Sequence, residues 1–218
     1  ACSIYAADLP VYFDWRLTDP AGGKTDTNLP TDAIVGDVRN QTPYDDCWAF
    51  ATTASLESSI NLKIQAANKQ LPDSQLPPVQ RLSERYLAWL TGAKPLDGSG
   101  DGFYFDNINP TTPKAVYDDG DTIYQPVSTL VRYGVDYNTN VPYVTDPTDA
   151  SMAGVNKLSG NGAALHDCYG LQIDTNDKDN PSSLNKNISY YKAMLQKCGV
   201  LRVNYYMPGT TVAEKVQK

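Results

Sequence analysis

The sequence is poor in histidine and in positive charge, and it has no long apolar run. Of its 218 residues one is histidine, His166, so a reaction needing an imidazole base has a single candidate within this stretch. Lysine and arginine total 18 against 25 acids, a net charge of −7. That balance argues against a nucleic-acid partner or an anionic membrane surface. No apolar run is long enough to span a bilayer, so no membrane partner is expected. There is no internal repeat and no intact signal peptide, and Ala1 could be a processed end. Low lysine with abundant Tyr, Asn, Asp and Thr fits a secreted, cell-surface or periplasmic protein. The length allows one large or two small domains with a full core.

What is present centres on Val38 to Ser58, where a polar loop runs into Cys47 and the cysteine opens a stretch with helical spacing. A helix N-terminus favours negative charge, and a thiol must ionise to act as a nucleophile. Gln41 lies six residues upstream, on a loop that could fold back beside the sulfur. Its side-chain amide and the Cys47 backbone N–H would then be two donors aimed at one point, the layout of an oxyanion hole. Asp46 is a plausible N-cap. Phe50, Ala51, Ala54, Leu56, Ile60 and Ile64 keep apolar helical spacing to about Lys69, which predicts a buried helix. Trp48 and Phe50 read first as core residues.

Further along, Leu17 to Asp32 reads as a surface loop, Ala33 to Asn40 as extended chain, and the prolines of Leu71 to Pro78 end the first helix. Ser83 is expected to cap a helix over Glu84 to Leu90. A third helix is expected over Thr122 to Tyr133, with Pro126 in its first turn. A fourth is expected over Ile188 to Lys197, ended by Gly199. Tyr169 to Ile173 and Val200 to Met207 read as strands, and Tyr137 to Ala164 as an irregular crossing between domains. Asp97, Ser99 and Asp101 resemble the first half of a calcium loop. The twelfth position is Ile108 rather than Glu, so a glycine-rich surface loop is the preferred reading and no cofactor is expected. Asn40 and Asn187 begin N-x-[ST] triplets, and Asn40 is expected to be unmodified.

The pattern Asn40-Gln41, five residues, then Cys47-Trp48-Ala49-Phe50 resembles the active-site segment of papain-like cysteine peptidases. Tyr12-Phe13-Asp14-Trp15-Arg16 resembles the family's mature N-terminus, and Leu82-Ser83-Glu84 its Leu-Ser-Glu helix start. Asp119-Gly120-Asp121 with the helix ending at Tyr133-Gly134 resembles the family's Gly-Gly turn and following helix. The resemblance implies an α+β, papain-like fold with a complete helical left domain, residues 17–135, bearing the Cys47 helix. Residues 1–16 and 136–218 would form a partial β-barrel right domain. It implies a thiol protease, a hydrolase of peptide bonds in peptide or protein substrates. Cys47 would be the nucleophile and Gln41 an oxyanion donor. Trp48 would pack behind the nucleophile, and Gly120 would line the substrate cleft.

The chain also departs from that pattern. Small residues usually precede the nucleophile, and here they are Asp45 and Asp46. Like charge beside a thiol opposes its ionisation; the blander alternative is that both side chains face solvent and Asp46 only caps the helix. The family's usual cysteine three residues before the nucleophile is Tyr44. Cys2, Cys168 and Cys198 remain, and a Cys168–Cys198 bridge or two buried thiols are both open. His166 comes before the unit resembling Ile188 to Met207, whereas the family's histidine follows it, and no Asn-Ser-Trp-Gly segment appears. The catalytic His and Asn are therefore expected on a C-terminal segment that completes the second domain. The alternative is a papain-fold binding or scaffold protein that has lost catalysis.

Overall fold

A computed structural model describes residues 13–15, 34–42, 44–68, 80–92, 124–143, 163 and 181–202. Four helices occur in it: α1 (Cys47–Ala67), α2 (Glu84–Gly92), α3 (Tyr124–Tyr133) and α4 (Pro181–Cys198). α1 packs against each of the other three, and α2 also packs on α3. All four lie where the sequence predicts helices. α4 opens seven residues before the expected Ile188, at a proline, whose fixed φ and missing N–H suit the first helical position.

Local signals explain the helix ends. Ser83 Oγ accepts the Tyr86 N–H at 2.9 Å, the expected cap on α2. The same hydroxyl donates to Val141 O at 2.6 Å, which ties the helix start to a distant loop. Gly134 and Gly199 have φ of 70° and 87° and end α3 and α4.

The face that α1 buries differs from the expected one. Ala54 is exposed, and Phe50, Ala51, Leu56, Ile60 and Ile64 are half-buried. The buried residues are Trp48, Ala49, Thr52, Thr53, Glu57, Ser58 and Asn61. Apolar spacing misleads here because the buried polar groups are satisfied, which removes most of their burial cost. Thr52 and Thr53 Oγ1 donate to Trp48 O and Ala49 O at 2.7 and 3.0 Å. Asn61 Oδ1 accepts the Gln80 N–H at 2.9 Å.

The core gathers Trp48, Leu82, Tyr86, Leu87, Leu130 and Val135 with their neighbours. Packing continues without a break past 135, the expected end of the helical domain. Tyr137, Val141, Tyr143 and Ala163 lie against the same core. Ser83 N–H donates to Asp136 O at 2.8 Å and Asn138 N–H to Arg81 O at 3.0 Å. Among the described residues, β pairing is limited to two isolated antiparallel bridges, Leu82 with Tyr137 and Val135 with Ala163.

A hydrogen-bonded seam joins α1 to the chain leaving α4. Ser55 Oγ donates to Val200 O at 2.8 Å and Ser59 Oγ to Cys198 O at 2.5 Å. Val200 N–H donates to Ser58 Oγ at 2.8 Å, and Arg202 Nη1 to Thr52 Oγ1 at 2.6 Å. Residues 200–202, the described part of the expected strand Val200 to Met207, are irregular. Trp15 Nε1 donates to Leu195 O at 2.6 Å and so holds residues 13–15 on α4. The expected strand Tyr169 to Ile173 lies outside the described residues.

Candidate active site

Cys47 is the first residue of α1, and its thiol is free and exposed. Trp48 and Ala49 turn straight into the core, at 3% and 0% exposure. The helix therefore surfaces at the cysteine and is anchored from the next residue on. Trp48 belongs to the buried core cluster. The N-terminal N–H groups of the helix, and its dipole, favour an anion beside the sulfur.

The loop before Cys47 is fastened at two places. The first is Arg39, whose Nη2 donates to both Glu57 carboxylate oxygens at 2.9 Å. Its Nη1 bonds the Glu84 carboxylate. Glu57 also accepts the Leu82 N–H at 2.5 Å. These carboxylates, at 2% and 1% exposure, lie on α1 and at the start of α2, so one guanidinium joins the loop to two helices. Arg39 stands two residues before Gln41. The sequence pattern singles out Glu84, within Leu82-Ser83-Glu84, but does not join it to Arg39 or Glu57. A further signal is Glu57 itself, the sole acid in a helix otherwise rich in small and apolar residues.

The second fastening is Tyr143. Its hydroxyl lies 2.7 Å from Gln41 O and 3.1 and 3.0 Å from Asp46 Oδ1 and Oδ2. Its ring packs edge-on against Phe50 and Tyr44, with centroids 4.9 and 6.3 Å away. Tyr143 is 97 residues from Asp46 in the chain, and no local pattern points to it.

Asp46 corrects the expectation made for it. It occupies the N-cap position, but its side chain makes no capping hydrogen bond. Nor does that side chain face solvent: it is 0% exposed and turned toward Tyr143. The cap contact comes from its backbone carbonyl, which accepts Ala49 N–H at 2.8 Å. Asp45 alone is exposed, as the solvent-facing alternative required.

Gln41 sits in a tight turn. Its carbonyl accepts the Tyr44 N–H at 3.1 Å, and its Nε2 donates to Tyr44 O at 3.0 Å. A carboxamide nitrogen carries two hydrogens, so one Nε2–H remains for a further acceptor. Asn40 is exposed, with its side-chain oxygen accepting the Thr42 N–H at 3.0 Å.

Gly120, His166, Cys2, Cys168 and the loop bearing Asp97, Ser99 and Asp101 lie outside the described residues. Among the described residues no cluster of His, Cys, Asp and Glu could hold a metal ion, and no helix is long and apolar enough to cross a membrane. In comparisons with known proteins, no family model, no curated protein and no solved structure matches the chain.

Proposed function

We propose that this chain is the thiol-bearing part of a papain-like cysteine peptidase, an α+β enzyme acting on peptide or protein substrates outside the cytoplasm. The observation that carries the reading is Cys47: an exposed thiol at the head of a 21-residue helix whose next two residues are fixed in the core. An exposed nucleophile on a rigid, anion-favouring support is what acyl transfer to sulfur requires. In this reading Cys47 Sγ attacks the scissile carbonyl. The Cys47 backbone N–H and the second Nε2–H of Gln41 hold the oxyanion. Gly120 lines the cleft, and a C-terminal segment supplies the His and Asn that complete the second domain. No metal or other cofactor is needed.

A second reading is a catalytically inactive papain-fold binding protein. It is favoured by the buried Asp46 next to the thiol and by the Gln41 amide already engaged on Tyr44 O. One experiment separates the two. The protein purified whole from its source is treated with a peptidyl acyloxymethyl ketone and assayed against a peptide library. The peptidase reading expects saturable labelling at Cys47, hydrolysis, and loss of both in Cys47→Ser. If no peptide is cleaved, and Cys47 reacts no faster than in the unfolded chain, the binding reading replaces it.

A further inference from the structure

Three acceptor oxygens surround the hydroxyl of Tyr143: Gln41 O at 2.7 Å and the two Asp46 carboxyl oxygens at 3.1 and 3.0 Å. A tyrosine hydroxyl has one hydrogen to donate. It cannot serve a backbone carbonyl on one side and an ionised carboxylate on the other with two full hydrogen bonds. Donated to the carboxylate, it would leave two oxygens facing each other at 2.7 Å with no hydrogen between them. Donated to Gln41 O, it would leave an ionised carboxylate against the oxygen lone pairs of the phenol. Both contacts become hydrogen bonds if the carboxyl group carries the second hydrogen. This count concerns the tyrosine and holds whatever else the carboxyl group touches.

We infer that Asp46 is held as a neutral carboxylic acid, donating to Tyr143 Oη while Tyr143 donates to Gln41 O, and that this relay makes Asp46 and Tyr143 positioning residues for the nucleophile and its oxyanion loop. Burial works in the same direction, since a 0% exposed carboxyl group favours its uncharged form, and the α1 N-terminus, which favours a carboxylate, works against it. Asp46 and Cys47 are adjacent, so the relay links the start of α1 to the loop carrying Gln41. It meets the same Gln41 carbonyl oxygen that accepts the Tyr44 N–H of the turn. A neutral Asp46 also removes one of the two negative charges expected just before Cys47. Among the described residues, the other ionisable groups nearby are Cys47, Tyr44, the exposed Asp45, and Arg85, whose Nη1 donates to Pro142 O at 3.3 Å beside Tyr143.

The protonation part stands apart from the peptidase reading; the positioning part rests on it. The whole protein at pH 7 is compared with Asp46→Asn by infrared difference spectroscopy. A carboxamide keeps a donor toward Tyr143, so the variant preserves the relay. The expected result is loss of a protonated-carboxyl carbonyl band in the variant. Loss of carboxylate bands instead would show Asp46 ionised and overturn the relay. The second variant is Tyr143→Phe, which keeps the ring contacts with Tyr44 and Phe50. It should lower kcat roughly tenfold with KM unchanged, the pattern of a loosened catalytic geometry. Unchanged kcat in Tyr143→Phe would refute the positioning role. A wild-type protein that cleaves nothing would refute the peptidase reading and the positioning role with it, and the infrared result would still decide the relay.

Discussion

Arg39→Leu is the sharpest test of how the loop before Cys47 is held. Arg39 is 23% exposed, and its partners Glu57 and Glu84 are 2% and 1% exposed. Its removal strips the counter-charge from two carboxylates that water barely reaches. Breaking a buried pair by deleting one partner costs about 3–5 kcal/mol, because the remaining charge is uncompensated. Glu57 keeps its Leu82 N–H bond, so part of its burial stays satisfied. Urea unfolding is the assay. With an m-value of about 2 kcal/mol/M, the midpoint should fall by roughly 1.5–2.5 M. Converting both carboxylates to carboxamides in the same chain, Glu57→Gln with Glu84→Gln, should recover most of that loss, because no charge is then stranded. A loss below about 1 kcal/mol for Arg39→Leu would place the cluster with exposed ion pairs and refute the reasoning.

Other outcomes follow from single contacts. Ser83→Ala removes both the cap on α2 and the bond to Val141 O, and should cost about 1–2 kcal/mol in urea unfolding. Gly199→Ala should cost about 1 kcal/mol or more: φ is 87°, and an added Cβ would meet Ser58 Oγ at 2.4 Å and the Ser58 backbone carbon at 3.1 Å. Ser58→Ala in the same chain should not restore stability, because the backbone contact and the positive φ remain. Leu87→Ala, at a 0% exposed site between α2 and its neighbours, should cost about 2–5 kcal/mol and lower the thermal midpoint.

Features that depend on nearby residues were legible in the sequence. Ser83 before a helical run, glycine after Tyr133 and after Cys198, and Cys47 opening a long helix all act within one turn, and each is present. The buried face of α1 was not legible. It carries Thr52, Thr53, Glu57, Ser58 and Asn61, and polar residues reach the interior only where partners meet them. Thr52 and Thr53 find theirs in α1 carbonyls one turn back, while the partners of Glu57, Asn61 and Ser58 are Leu82, Gln80 and Val200, far away in the chain. Asp46 misled for the same reason. Its sequence position fits a cap, while its side chain belongs to a contact with Tyr143 that no local spacing encodes. The start of α4 was missed because residues 182–187 are mostly polar and show no apolar period, leaving Pro181 as the one boundary signal.

The two fastenings bear on function together. Arg39 ties the loop to the middle of α1 and the start of α2, and Tyr143 ties Gln41 to the residue before Cys47. The segment between Arg39 and Cys47 is thus held at both ends, and its own turn at Gln41 and Tyr44 fixes its centre. Holding a short polar loop this way uses buried charge and buried hydroxyl groups, which contribute less to stability than apolar packing of the same volume. A loop that served only to connect elements would gain nothing from such an arrangement. A loop that must present one amide beside one thiol would, since an oxyanion donor works only when its position is set before the charge develops. On the polar face of α1 it is Glu57 that meets this loop, through Arg39, while Thr52, Ser58 and Asn61 meet Arg202, Val200 and Gln80. The two functional readings separate on the spare Nε2–H of Gln41: Gln41→Glu leaves this side chain without a donor, and the peptidase reading expects hydrolysis to be lost in it.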